Sequence, residues 1–198
     1  MKILLIGAGG TIGTVVHKTL AGRGHDVLSV GRTSGDLRFD FTDPEQVAAL
    51  YAAAGPVDAV VGAAGGVPFK PLDQLTADDF RTGFHNKVLS QVELVRQGVR
   101  HVAERGSFTL ITGVLAREPI VTGTVASLVN GAIESFVMAA AVEIAPQRVN
   151  AVSPSVVTED LPKYDRFFPG MPSHDLAAVA RAYVRSVEGA QTGQVLVP

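Results

Sequence analysis

Apolar residues recur along this chain in short runs closed by glycine or a turn residue. These alternate with longer stretches whose apolar positions return every three or four residues. The short runs predict strands buried on both faces, and the longer stretches predict helices. Strands are expected at Ile3–Ile6, Asp26–Val30, Leu37–Phe41, Asp58–Val61, Ser107–Thr112, Arg148–Val152 and Gln194–Val197. Helices are expected over Ile12–Arg23, closed by Gly24, and over Glu45–Ala54, opened by Asp43-Pro44. A long helix begins after Thr76, whose pairing with Asp79 has the form of a capping box, and is expected to reach Glu104. Val125–Ile144 and His174–Val187 complete the set. No linker or repeat interrupts the alternation. It predicts one α/β domain over residues 1–198, a doubly wound parallel sheet with helices on both faces.

The first strand runs directly into Gly7-Ala8-Gly9-Gly10-Thr11-Ile12-Gly13. Glycines between a buried strand and a helix permit the tight turn, the approach of backbone to a pyrophosphate, and close helix–strand packing. The phosphate would sit on the free N–H groups at the helix start, where the dipole favours an anion. This is the entry to a dinucleotide-binding Rossmann fold.

Composition narrows the classes. The chain has 198 residues, 46% hydrophobic and 18% charged, with a formal net charge of -2. That fits a well-buried globular domain and argues against a nucleic-acid surface or electrostatic membrane attachment. With no cysteine, neither disulfides nor thiolate metal sites are available. His17, His25, His101 and His174 are scattered without metal-ligand spacing. The apolar start is too short for a secretory segment and no uninterrupted apolar run reaches a membrane span, so a cytoplasmic location is expected.

Strand two ends in Gly31-Arg32-Thr33-Ser34, with no Asp or Glu at its tip to hold a ribose 2′-hydroxyl. A guanidinium can pair with a 2′-phosphate while Thr33 and Ser34 add hydroxyl donors. NADP(H) is therefore the expected cofactor, with NAD(H) the alternative. Asp36 lies farther on, in a turn, and carries less weight.

Several motifs together resemble the short-chain dehydrogenase/reductase family over nearly the whole chain. They are the glycine loop, Asp40-Phe41-Thr42, Ala64-Gly65 after Gly62-Ala63, Arg148-Val149-Asn150-Ala151-Val152-Ser153-Pro154, and Gln191-Thr192-Gly193-Gln194. The resemblance implies that Gly7, Gly9, Gly10, Thr11, Ile12 and Gly13 take the pyrophosphate. It also implies that Asp40 and Phe41 border the adenine, and that Ala63, Ala64, Gly65, Pro154, Ser155 and Val156 line the remaining cofactor groove. In the family, a Tyr acid is activated by a Lys four residues on, a Ser on strand five orients the carbonyl, and an Asn stands on the long helix. Those positions fall here on Ala126, Asn130, Gly113 and Lys87.

Lysine and asparagine have thus exchanged places. Lys87, Asn130 and Thr112, at the end of strand five, are the candidate catalytic residues. The aromatic segment from Asp160 to Ser173, with Tyr164, Phe167 and Phe168, resembles a short substrate lid. The family also pairs through two helices. This predicts a homodimer or homotetramer through residues 78–104 and 125–144, helped by the small residues Ala126, Gly131, Ala132, Ala139, Ala140 and Ala141. The readings left open are an NADP(H)-dependent oxidoreductase with a non-standard acid, an inactive NADP(H)-binding sensor or scaffold, and an isomerase or lyase using Lys87 as base.

Overall fold

A computed structural model describes residues 1–198. Seven parallel strands form one sheet in the order β3-β2-β1-β4-β5-β6-β7. They are β1 (Lys2–Ile6), β2 (Asp26–Gly31), β3 (Leu37–Arg38), β4 (Val57–Gly62), β5 (Val102–Ile111), β6 (Arg148–Val152) and β7 (Val195–Leu196). The main helices are α1 (Thr11–Gly22), α2 (Pro44–Ala54), α3 (Ala77–Gly83), α4 (Ser90–Gly98), α5 (Thr124–Glu143), α6 (Leu161–Tyr164) and α7 (Leu176–Glu188). The doubly wound fold is as expected.

Alternation along each strand divides the core into two layers. Ile3 and Leu5 of β1 join a cluster with Val16 and Leu20 of α1 and Tyr183 of α7. Leu4 and Ile6 point the other way, into a larger cluster with Leu50 of α2, Leu94 of α4 and Ile133 of α5. Strand order reverses between β1 and β4, so the crevice outside their carboxyl ends is where such sheets bind ligands.

Several boundaries differ from expectation. The third strand has only two residues, because Asp40 turns to local bonds: its N–H donates to Gln46 and its carboxylate accepts from Thr42. The long helix stops at Gly98 and not at Glu104. The chain after it is fastened by Gln147, whose Nε2 donates to the carbonyls of Val99 and Val102, and Val102 begins β5. Within this helix, Phe84–Leu89 is a π-helical segment between α3 and α4. By length and composition α5 could cross a membrane, yet Val129, Ile133 and Val137 on its inner face belong to the core. The Thr76–Asp79 capping box and the Asp43 cap form as read.

The motif on β6 also serves the fold. Arg148 donates to the carbonyls of Ser186, Val187 and Gln191, and Asn150 holds Gln191 and Gln194. The C-terminal end of α7 is thereby capped and tied to the sheet edge.

Candidate active site

The glycine loop makes a cradle that side chains would fill. Gly7 has φ +82°, and a Cβ there would stand 2.6 Å from the Ala64 Cβ. A Cβ on Gly13 would stand 2.0 Å from the Gly7 carbonyl oxygen. The loop is thus pressed between the start of α1 and the end of β4. Gly10 caps α1 without a side-chain bond, and no acidic residue lies in the first turn. The N–H groups of Thr11, Ile12 and Gly13 therefore face the crevice with the positive end of the helix dipole behind them. An anionic pyrophosphate fits this donor set, and Ala63, Ala64 and Gly65 form the opposite wall.

Beside the cradle lies a recess of about 230 Å³ lined by Gly9, Thr14, His17, Ser29, Ser34 and Gly35. Arg32 and Thr33, which precede Ser34 in the chain, are exposed. Asp36 does not compete for them, because its carboxylate accepts from the Ser29 N–H at 2.9 Å and the Ser29 hydroxyl at 2.7 Å. Those bonds hold its pKa below the usual range. Burial pushes the Asp40 carboxyl upward, but the Thr42 bonds and the nearby Arg32 charge outweigh it and keep Asp40 ionised. Phe41 packs against the core beneath. His17 and Thr14 had no legible signal, since their position depends on how α1 lies over β2.

Lys87 sits in the π-helical segment, a distortion that recurs at functional sites. Its Cγ lies 3.1 Å from where a Gly65 Cβ would stand, so the stem crosses the chain just beyond β4. Burial lowers the amine to about pKa 8. Gln91 fixes this turn: its Nε2 donates to the carbonyls of Lys87 and Ile111, and its Oε1 accepts from the Ile111 N–H. Gln91 is fully buried, and nothing in the local sequence marks it as more than a polar helix residue.

Asn130 lies on α5 with its amide against Gly113, just beyond β5. Lys87 and Asn130 thus stand over the ends of adjacent strands. Thr112 requires a correction. Its hydroxyl donates to the Asn130 carbonyl at 3.0 Å and approaches Glu134 at 3.2 Å, so it fastens β5 to α5 instead of facing the crevice. Glu134 also takes both oxygens to Arg117, which reaches Ser153 at 2.6 Å. This half-exposed network anchors the loop after β5.

Ala126 is 2% exposed and packs with Val114 and Leu115 under Phe168 and Met171 of the lid segment. The segment from Asp160 to Ser173 is closed at its base by the bridge between Val157 and His174. Pro154 receives the Val114 N–H, while Ser155 donates its N–H to His174 Nδ1 at 3.1 Å and leaves its buried hydroxyl without a partner. Val156 is buried beside them. Ala140 and Ala141 of α5 also pack into the chain's own core, which removes them, with Ala126, from the expected subunit contact.

The family model described as enoyl-(acyl carrier protein) reductase matches residues 11–191. Among curated relatives, carbonyl reductase (NADPH) 2 of Sus scrofa is 30% identical over 175 residues, 79% of this chain and 72% of that protein. L-xylulose reductase of Bos taurus is 27% identical over 174 residues, 79% of this chain and 71% of its own. Among solved structures, the protein lin1944 from Listeria innocua is 41% identical, covers 100% of this chain and 98% of its own, and superposes with a TM-score of 0.97. A small-chain dehydrogenase in complex with NADPH is 25% identical, covers 100% of this chain and 96% of its own, and has a TM-score of 0.89. The reading from the glycine loop, the strand-six motif and the sheet order agrees with these matches, and the chain belongs to the short-chain dehydrogenase/reductase family.

Proposed function

We propose that this protein is an NADP(H)-dependent oxidoreductase that reduces small carbonyl compounds, with Lys87 as the proton source. The observation that carries the reading is Lys87, whose stem carbons pack against Gly65 just beyond the carboxyl end of β4 and whose amine is lowered by burial to about pKa 8. A group with that pKa is protonated at neutral pH yet gives up its proton readily, as a general acid must. The cofactor, when bound, supplies the hydride. The chain's own residues orient it: the α1 N-terminus and glycine loop hold the pyrophosphate, Arg32, Thr33 and Ser34 the 2′-phosphate, and Pro154 to Val156 the nicotinamide end. Phe168 and Met171 exclude water above the site, and Lys87 delivers a proton to the carbonyl oxygen. NADPH fluorescence titration, followed by a carbonyl and enone panel watched for NADPH loss, tests the whole reading.

The sealed apolar cluster around Ala126 favours a second reading, an NADP(H)-binding sensor or scaffold without turnover. It predicts NADPH binding and no consumption across the panel.

The 2′-phosphate assignment has its own test. A lost charged hydrogen-bond partner costs about 1.5–3 kcal/mol. Arg32→Ala is therefore expected to weaken NADPH at least tenfold and leave NADH nearly unchanged; equal losses in both titrations would remove Arg32 from the site.

We infer also that two copies pair through α4, the π-helical segment and α5. Leu89, Leu128, Met138 and Val142 are 44%, 49%, 55% and 82% exposed on these helices, an apolar face for which a second copy is the natural partner. Light scattering at micromolar concentration is expected to give twice or four times the chain mass. A monomer would refute the interface.

A further inference from the structure

We propose that His17 of α1, together with the Ser34 hydroxyl, binds the 2′-phosphate of NADP(H) inside the recess beside the glycine loop and so selects that cofactor over NAD(H). This rests on the NADP(H) reading above and adds to it a residue from a second element. Apart from Ala8 and two glycines, the wall of the recess is made by Thr14, His17, Ser29 and Ser34. It contains no carboxylate, and Arg32 is not part of it. His17 is therefore the one side chain in the wall that can carry a positive charge.

Two elements bring these groups together. Thr14 and His17 stand three apart on α1, on one face of the helix, and His17 is half-buried there. The turn after β2 meets them at the recess. Its Gly35 has φ +107°, and a Cβ there would stand 2.8 Å from the Ser29 carbonyl oxygen. A Cβ on Gly31 would stand 2.8 Å from the Ser34 carbonyl oxygen. The turn is thus wound too tightly for side chains at either position. It holds the Ser34 Oγ 3.4 Å from where a Gly9 Cβ would be, against the glycine loop itself.

Hydrogen bonds within the chain leave two groups of the wall free. The Thr14 hydroxyl donates to the Ala8 carbonyl at 3.2 Å, and that of Ser29 donates to Asp36 at 2.7 Å. The His17 ring and the Ser34 hydroxyl are engaged by no other group of the chain. A wall without carboxylates, with free donors from two elements, suits a phosphate, whose oxygens accept from several directions at once. The acid whose charge reaches His17 is Asp36. Its carboxylate is taken by the Ser29 N–H and hydroxyl and lies outside the wall. The first turn of α1 adds the positive end of its dipole at the same place. A ribose 2′-hydroxyl offers these donors no anion, so the discrimination falls on the phosphate alone.

The test is fluorescence titration of NADPH and NADH against the native protein, His17→Ala, His17→Gln and Ser34→Ala, with the melting temperature of each variant as the check on folding. His17→Ala is expected to weaken NADPH by about tenfold, the loss that follows removal of a hydrogen bond to a charged group, and to leave NADH within about twofold. Glutamine keeps a donor and should recover part of that loss; it also carries the test should the alanine variant fold poorly. Ser34→Ala should weaken NADPH by about threefold, again without moving NADH. Displacement of bound NADPH repeats the comparison with fragments: adenosine 2′,5′-bisphosphate should lose affinity in His17→Ala, and adenosine 5′-monophosphate should not. A native ratio of NADPH to NADH affinity in both His17 variants overturns the proposal. So do equal losses for the two cofactors, which give the recess to the adenosine they share. If Arg32→Ala abolishes the preference while His17→Ala leaves it, the NADP(H) reading stands and His17 is outside it. A native protein that binds NADH as tightly as NADPH defeats that reading itself, whatever the variants do.

Discussion

Gly13→Ala is expected to weaken NADPH binding by a hundredfold or more and to lower the melting temperature. The added methyl would lie 2.0 Å from the Gly7 oxygen and 2.8 Å from the Gly7 carbonyl carbon, so backbone and not a flexible side chain must yield. Overpacking of this kind costs about 1–3 kcal/mol, and more where no rotamer can relieve it. At about 2–4 °C per kcal/mol for a chain this long, a fall of roughly 5–10 °C follows. Binding suffers further, because opening the turn moves the α1 N–H groups away from the pyrophosphate. Gly10→Ala is the control. Its nearest neighbour would be at 3.5 Å, an ordinary contact, and its fold should be close to native. Calorimetry and fluorescence titration of both variants decide the matter. Native NADPH affinity in Gly13→Ala would displace the pyrophosphate from this loop.

Lys87→Met should reduce carbonyl turnover by two or more powers of ten while changing NADPH affinity little. Methionine keeps the stem's bulk and helix propensity but removes the proton. Lys87→Arg separates charge from acid function, since a guanidinium does not release its proton in this pH range, and it should be nearly as inactive. Native turnover in the reductive direction should fall as pH rises through about 8, where Lys87 loses its proton. Stability moves the other way. The folded amine titrates near 8 against 10.5 for an unperturbed lysine, so between these values the unfolded chain binds more protons. Native stability therefore rises over that window, and the burial penalty is fully present below it. Lys87→Met should accordingly melt higher than native at pH 7, with the gap closing toward pH 10.5. A pH-independent gap would place the ammonium in open water.

The parallel sheet and the glycine turn after its first strand were legible because local chemistry decides them. Ile3 to Ile6 can only be a strand buried on both faces, and Gly7 and Gly13 stand where a Cβ meets backbone. The boundaries of β6 were read correctly, since Arg148 and Asn150 interrupt an otherwise apolar run at positions that bond outward to α7. What escaped depends on contacts distant in sequence. Val99 to Glu104 reads locally as helix, but Gln147 draws its carbonyls away and Val57 pairs with Val102. The π-helical segment is equally silent in the sequence: it is stabilised by Gln91 and by the Ser90 hydroxyl donating to the Asn86 carbonyl. At the site, register alone led to the expectation that lysine and asparagine exchange places. The engagement of Thr112 with α5 was not, because it requires knowing which face of the strand end meets the helix.

The two ends of the segment after β6 are fastened to each other independently of what lies between them. Thr158 donates to the His174 carbonyl at 2.9 Å, His174 donates to the Val156 carbonyl at 3.0 Å, and the hydroxyls of Thr158 and Ser173 meet at 2.9 Å. Loop-closure entropy grows only slowly with length, and a loop whose ends are already joined can be lengthened or replaced at little cost to the domain. Residues 159–172 therefore form an exchangeable cassette. Grafting a longer or more polar segment between Thr158 and Ser173 would redraw the walls over Ala126 while leaving the sheet and the glycine loop as they are. In this architecture the segment can change without renegotiating the fold.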